Sequence, residues 1–359
     1  MKIFFTIPHL AEGGAERVVS LLANYLAEKG HHVIIILLSS NRCSYNLESK
    51  VSLIYAGHSA KGGFLKRLFW LRNYVKKEHP DIVISFLIKA YCFTLLALLG
   101  VNVCKIVSER VDPRFTKPWF WRVIRRILLP TASHLVVQTE EIKAYYGKNI
   151  RKKTSVIFNP VSSEVFRQNY LVERKKIIVT AGRLCPQKNH QMLIEAFRRI
   201  ADKFPDYQLY IYGEGYLRGN LLKIIRLRGL DKRVILCGRS DRLIEKINET
   251  SLFCLSSDYE GMSNSLIEAI CLGLPIVTTN VSGTESFMKD GENGIIVKCG
   301  DVDGLSRGME RILSESNLRN RMKLNNRKKA ELFRIENISK QWEGLFINEL
   351  EKVQINKST

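Results

Sequence analysis

KIIVTAGRLCPQKNHQMLIEAF, residues 176–197, is the stretch whose reading decides the fold. Its first half is an apolar run of strand length that ends at Gly182, and its second half repeats apolar residues at helical spacing from about His190. A strand running straight into a helix is half of a βαβ unit, and such units build parallel sheets that bind ligands at the carboxyl ends of their strands. Arg183 and Lys188 stand at that end. One is a planar fork and the other a point charge, a pair suited to a diphosphate. A merely solvated loop would display the same two cations.

The alternation continues outward in both directions. Before residue 160 the strand-like runs are KIFFTIP, HVIIILL, VSLIYA, DIVISFL, KIVSE, HLVVQT and SVIFN; after it YQLYIYG, VILCG, LFCLSS, PIVTT and GIIV follow KIIVTAGRL. Each set suffices for its own open sheet, so the expected class is α/β with two Rossmann-like domains. The expected boundaries are a first domain over 1–160, a linker over 161–175 where Asn159-Pro160 and paired serines break both periodicities, a second domain over 176–335 and a helical tail over 336–359.

Length and composition agree with two ordinary globular domains: 359 residues, 45% hydrophobic and 25% charged. A formal charge of +21 is not ordinary, and it implies attraction to nucleic acid, anionic lipid or phosphorylated substrates without choosing among them. Residues 1–160 carry 24 Lys and Arg against 10 Asp and Glu, whereas 161–359 carry 32 against 25. The first half is therefore the expected contact with an extended anionic surface. Eight cysteines show no C-x-x-C pair and no histidines at zinc-ligand spacing, so a reducing, cytosolic compartment and no metal are expected. The N-terminus lacks the pattern of a cleaved signal. IVISFLIKAYCFTLLALLGVNVCKIV, 82–107, is long enough to span a bilayer but carries Lys89; a buried strand, a helix over 90–99 capped by Gly100 and a second strand fit it better.

Three further segments bear on chemistry. HLAEGGAER joins the first strand to an amphipathic helix, and its glycine pair lets backbone N–H groups approach a phosphate, although it is not the G-x-G-x-x-G of dinucleotide folds. Gly213-Glu214-Gly215 with Gly219 is one residue too long for that fingerprint and reads mainly as a turn. SSDYEGMSNSLIEAICLGLPIVTT places Glu260 in the loop after a strand and Glu268 eight positions on, inside the helix that Ser263 or Asn264 begins. Two carboxylates repel phosphate but accept hydroxyls, which suits the diol of a ribose or a sugar. An accidental pair of glutamates on a buried helix is the bland alternative.

Glu260-Gly-Met-Ser-Asn-Ser-Leu-Ile-Glu268 resembles the E-x7-E motif of retaining glycosyltransferases with the GT-B fold, and its surroundings resemble glycosyltransferase family 4. The likeness extends through GGAER (13–17), SER (108–110), FNPV (158–161), AGRLCPQKN (181–189), YGEG (212–215), CGRSD (237–241) and ENGIIV (292–297). It implies two Rossmann-like domains whose parallel sheets face each other across a cleft, with C-terminal helices packing back. It also implies transfer of a hexosyl or N-acetylhexosaminyl group, from a UDP-sugar as first choice, to a lipid-linked or polysaccharide acceptor in bacterial capsule, O-antigen or exopolysaccharide synthesis. The nearest subgroup resembles N-acetylgalactosamine transferases. A GT-B enzyme acting on a soluble sugar or sugar phosphate is the alternative.

The roles implied are catalytic for Glu260, Arg183 and Lys188, with Glu260 on the donor sugar and the two cations on the diphosphate. Gly182, Gly261, Met262, Ser263 and Asn264 would steady sugar and phosphate, Glu268 the ribose, Gly238 and Arg239 the base, and Gly13 and Gly14 the diphosphate. Glu16, Glu109 and Arg110 are left as acceptor or sugar contacts; many members carry a histidine where this chain has Arg110, which cannot act as a general base. No cofactor and no metal are implied beyond the nucleotide-sugar donor.

Basic segments with aromatics fit a membrane-bound acceptor. FLKRLFWLRNYVKK (64–77) repeats apolar residues at 64, 68, 71 and 75 among cations, and RFTKPWFWRVIRRILL (114–129) mixes Trp119, Phe120 and Trp121 with arginines. Such helices lie well on an anionic inner-membrane surface, so the chain is expected to be cytoplasmic and peripherally membrane-bound. Stripes facing the core would look the same. Other polysaccharide-assembly enzymes are further expected partners; nucleic acid is not, since no binding module accompanies the charge.

Overall fold

The computed structural model describes residues 1–11, 13–59, 63–169 and 172–358; Glu12 beside the glycine pair, 170–171 of the expected linker and the terminal residue of the expected tail lie outside them. Two compact units form, one from Met1–Pro160 with Ile335–Thr359 and one from Val161–Arg334.

The first unit holds seven strands: β1 (Lys2–Ile7), β2 (His32–Leu37), β3 (Val51–Tyr55), β4 (Ile82–Phe86), β5 (Cys104–Ser108), β6 (His134–Val137) and β7 (Thr154–Val156). All pairs are parallel, in the order β3-β2-β1-β4-β5-β6-β7. The second holds β8 (Lys175–Ala181), β9 (Gln208–Tyr212), β10 (Val234–Gly238), β11 (Thr250–Leu255), β12 (Ile276–Thr279) and β13 (Ile295–Val297), also parallel, in the order β10-β9-β8-β11-β12-β13. Both orders are doubly wound, with helices on both faces, so the central strands read as unbroken apolar runs. The helices used below are α1 (Gly14–Glu28), α2 (Phe64–Glu78), α3 (Ile88–Ala97), α4 (Phe120–Leu128), α5 (Glu140–Tyr145), α6 (His190–Ala201), α7 (Arg218–Leu227), α8 (Asn264–Cys271), α9 (Val302–Ser314), α10 (Ser316–Ala330) and α11 (Ile335–Ser358).

The 82–107 stretch folds as β4, α3 and β5, with Gly100 at φ +69° ending the helical segment as only glycine does cheaply. Among the described residues no helix is long and apolar enough to cross a membrane. Residues after Pro160 differ from the expected linker. Val161 N–H donates to Phe333 O at 2.8 Å, and Ser162 caps the short helix Ser163–Phe166, so this segment is built into the second unit. The tail belongs to the first unit alone: Ile338, Trp342 and Phe346 of α11 join the core cluster of Ile3, Phe5 and Phe86.

Candidate active site

In a doubly wound sheet the ligand crevice opens where the strand order reverses, because loops from neighbouring strands there leave toward opposite faces. In the second unit that point lies between β8 and β11, which pair directly. The loop after β8 is Gly182-Arg183-Leu184, and the loop after β11 runs through Ser256 to Ser263. Sequence positions more than 70 apart become neighbours here for a topological reason.

Hydrogen bonds stitch the two loops together. Lys188 Nζ lies 2.5 Å from Glu260 Oε1, Ser257 Oγ donates to the same oxygen at 2.8 Å, and Gln187 Nε2 donates to Glu260 Oε2 at 3.2 Å. Asn189 Nδ2 donates to Asp258 Oδ1 at 2.9 Å, Ser256 Oγ to Lys188 O at 2.9 Å, and Asp258 N–H to Gln187 O at 2.9 Å. Glu260 is buried, so its charge needs these donors; an unpaired buried carboxylate would be strongly destabilising. Arg183 stays exposed beside them.

The second glycine cluster supports this loop from behind. Gly213, at φ +131°, donates its N–H to Gly238 O at 2.7 Å, and a Cβ there would stand 2.0 Å from Gly182 O. A Cβ on Gly215 would stand 2.3 Å from Leu184 O. These glycines allow backbone to lie on backbone, which accounts for their off-pattern spacing. Gly182 itself carries the Lys188 stem, whose Cε would be 3.0 Å from an added Cβ.

Two helices begin at the crevice, and they differ. At α6, Asn189 caps with its own side chain, Met192 N–H donating to its Oδ1 at 3.2 Å. At α8, Ser263 occupies the cap position without a side-chain cap bond, and Ser265 Oγ instead donates to Ala181 O at 2.8 Å. The Gly261-Met262-Ser263-Asn264 end of α8 thus presents helix-terminal dipole to an anion. Glu268 is buried one turn further on, and Gly238, at φ +70°, ends β10 with Arg239 exposed beyond it. His190 opens α6; burial, then the charge of Lys188, pushes its imidazole down to about 4, against the backbone of Arg183 and Gly182.

The remaining candidates sit in the first unit. Gly13 is the extended cap residue of α1, and Glu16 folds back over it: a Cβ on Gly13 would fall 2.2 Å from Glu16 Oε2. Glu16 stands in the first turn of α1, where a carboxylate suits the helix N-terminus, and its Oε1 lies 3.6 Å from His9 Nδ1. Gly14 follows as the first residue of α1. Glu109 is directed inward. Its Oε2 accepts Tyr91 Oη at 2.8 Å, with Arg125 Nη1 and Tyr146 Oη each 3.3 Å away. Burial pushes this carboxyl up, and Arg125 and Tyr91 pull against it. Arg110 is buried as well, its guanidinium 5.0 Å from the Phe86 ring and 5.8 Å from Trp342, with Nη1 donating to Asn159 Oδ1 at 2.7 Å. With no acid against it, burial lowers it to about 9.

Sequence reading passes over Gln187, Ser257 and Tyr45. Tyr45 Oη donates to Gly13 O at 2.8 Å and accepts its N–H at 3.2 Å, a latch on the glycine pair that no local pattern announces. The one D-x-D triplet of the sequence, Asp301-Val302-Asp303, serves helix structure: Asp301 Oδ1 accepts Gly304 N–H at 2.7 Å to start α9, and Asp303 pairs with Arg199. Among the described residues no cluster of three or more His, Cys, Asp or Glu is placed to hold a metal ion.

Residues 12–165 match the family model Glycosyltransferase Family 4, and residues 161–329 match Glycosyl transferases group 1. A Campylobacter jejuni protein named GalNAc-alpha-(1->4)-GalNAc-alpha-(1->3)-diNAcBac-PP-undecaprenol alpha-1,4-N-acetyl-D-galactosaminyltransferase is 29% identical over 355 residues, 95% of this chain and 97% of its own. A second from the same organism, named N-acetylgalactosamine-N,N'-diacetylbacillosaminyl-diphospho-undecaprenol 4-alpha-N-acetylgalactosaminyltransferase, is 26% identical over 353 residues, 92% and 95% of the two chains. The crystal structure of Anabaena HepE in complex with UDP shares the fold at a TM-score of 0.82 and 17% identity, covering 97% of this chain and 100% of that one. Two doubly wound parallel-sheet units of this kind are the GT-B architecture. The chain belongs to the glycosyltransferases, with a family 4 domain over its first half and a group 1 domain over its second.

Proposed function

We propose that the chain is a retaining transferase that moves a hexosyl or N-acetylhexosaminyl group from a nucleoside diphosphate sugar, UDP-linked, to a lipid-linked or polysaccharide acceptor. The observation that carries the reading is the stitched pair of loops at the β8/β11 switch point, with Arg183 and Lys188 on one and Glu260 on the other. Breaking a sugar–phosphate bond leaves a diphosphate and an oxocarbenium-like sugar, so charge on the leaving group must be stabilised. Arg183 as a fork, Lys188 as a point charge and the uncapped start of α8 supply positive potential for it without a metal. Glu260 accepts a hydroxyl of the transferred sugar and Glu268 the ribose diol, while Gly238 and Arg239 border the base. The acceptor hydroxyl attacks from the face the phosphate leaves, and the departing phosphate takes its proton.

The acceptor class is supported by the names of the two Campylobacter relatives, both of which specify undecaprenol-linked diphosphates. An acceptor of that kind lies in an inner-membrane leaflet, and the first unit offers a surface to meet it. Along α4 and its cap residue, Trp119, Val123 and Ile127, spaced by one turn, face solvent, with Trp119 69% and Ile127 67% exposed, and the cations Lys117, Arg122 and Arg126 flank them. Leu65 and Phe69 of α2 add to the exposed apolar area, and Lys66, Lys76 and Lys77 to its charge. The stripe expected on α2 faces the core except at Phe64, however: Leu71 and Val75 enter the core and Leu68 packs on it, while Arg67 and Arg72 donate to carbonyls of Leu38, Ala97 and Leu99. Membrane contact therefore rests on α4 more than on α2.

Radiolabelled UDP- and GDP-sugars, with and without a polyprenyl-diphosphate acceptor, test the reading. Transfer by the wild type and a loss of roughly a thousandfold or more in the Lys188→Ala, Glu260→Ala double variant are expected, one lost charge-stabilising contact being worth about a hundred- to a thousandfold. Undiminished transfer by the double variant would remove these residues from the mechanism.

A further inference from the structure

Gln187 stands between the two residues the proposed function uses most, and that function gives it no task. Its carboxamide Nε2 donates to Tyr259 O at 3.0 Å and to Glu260 Oε2 at 3.2 Å, so both N–H bonds of the amide are spent on the same two-residue segment. Its own carbonyl accepts Asp258 N–H at 2.9 Å, which fixes the backbone from which the side chain reaches.

The consequence lies in the lone pairs of Glu260. A carboxylate offers about four acceptor positions in its plane. Lys188 and Ser257 take the two on Oε1, at 2.5 and 2.8 Å, and Gln187 takes one on Oε2. One position remains, on the oxygen that Gln187 holds. The last torsion of a glutamate is broad and soft, so packing alone would not set its angle. Donors on both oxygens do set it, and Gln187 is the donor on the oxygen that stays open.

We propose that Gln187 is a positioning residue that aims the free lone pair of Glu260 at one hydroxyl of the transferred sugar, and so determines the preference between epimeric donors. This rests on the reading of Glu260 as the sugar contact. Lys188 and Ser257 cannot do the same work, because they grip the other oxygen and leave the carboxylate free to pivot about it.

The test compares wild type, Gln187→Met and Gln187→Glu on the UDP-sugar that the wild type uses fastest and on its C4 epimer. Met keeps the length and removes the donors. We expect the kcat/KM preference between epimers to fall by roughly tenfold or more, as when a polar contact to a sugar hydroxyl is lost. Affinity for UDP, which lacks the sugar, and the thermal midpoint should hold. Gln187→Glu keeps the shape but sets a second carboxylate against Glu260, and like charges this close share one proton. Its activity should fall about a hundredfold at pH 8 and recover as the pH drops toward 5, a rise the wild type lacks. An unchanged epimer ratio in the Met variant, or equal losses for UDP and both sugars, would overturn the proposal while leaving the transferase reading intact. A wild type that turns over no sugar nucleotide takes down both.

Discussion

At the residue scale the surroundings of a charged group set which of its atoms are already bonded and how it titrates. Glu260 and Glu109 are both buried acids beyond the ends of parallel strands, but Glu260 is held by donors on both oxygens, whereas Tyr91, Arg125 and Tyr146 all converge on Oε2 of Glu109. His190 carries a different consequence. Its folded-state value of about 4 lies below the ordinary 6.5, so between those two pH values the unfolded chain takes up a proton that the folded chain refuses. Stability is complete above 6.5 and declines as pH falls toward 4, by an amount on the order of 3 kcal/mol for this one group. Urea unfolding at pH 7 and pH 4.5 checks it: His190→Asn should lose less stability between the two than the wild type does. An equal loss would place the acid sensitivity elsewhere.

Among the elements, α4 is apolar on two sides, with Leu128 buried and Trp121 and Ile124 packed on the core. Its inward face carries Arg125, bound to Glu109, and its outward face carries Val123 and Ile127 beyond Trp119 at its start. Burying an arginine and exposing a tryptophan runs against ordinary partitioning unless the outer face meets something apolar. The bonds of Arg125 to Glu109 and Tyr145, with Tyr91 of α3 donating to the same Glu109 oxygen, anchor α4 to the end of β5 and to α5, and so fix which side faces out. Flotation with vesicles rich in anionic lipid should therefore lift the wild type at moderate salt. Trp119→Ser with Ile127→Ser should reduce the bound fraction about tenfold or more, since each large apolar side chain is worth roughly 1.5–3 kcal/mol when buried. Arg122→Ala with Arg126→Ala should weaken binding chiefly at low salt, as screening predicts. Equal flotation of all three proteins, or none for the wild type, would leave the acceptor to be met without this helix.

For the molecule as a whole, chain order and spatial order part company at the C-terminus. After the second unit closes with α10, α11 returns to the first, where Trp342 sits fully buried with Phe86 at 6.2 Å and Phe346 at 5.9 Å. The core of the first unit is therefore completed by residues more than 170 positions beyond its own last strand. Trp342→Ala should cost about 3–5 kcal/mol, the range for truncating a buried aromatic. The loss should appear in the unfolding of the first unit, read by hydrogen exchange on β1 and β4, while β8 and β11 keep their protection. Equal loss in both units would mean that they unfold as one.

The sequence by itself determined the thirteen strands and the α/β class, which rest on local periodicity, and it placed Arg183 and Lys188 on one βα unit and Glu260 and Glu268 on another by the spacing within each. Tertiary structure alone decided the rest. Which strands are neighbours puts Gln187 and Ser257 on Glu260, and no local pattern encodes a contact across 73 positions. Packing turned Glu109 inward, set Glu16 beside His9 and gave Gly13 its latch in Tyr45. Burial likewise turned the stripe of α2 toward the core at Leu68, Leu71 and Val75, a choice between core and membrane that periodicity cannot make.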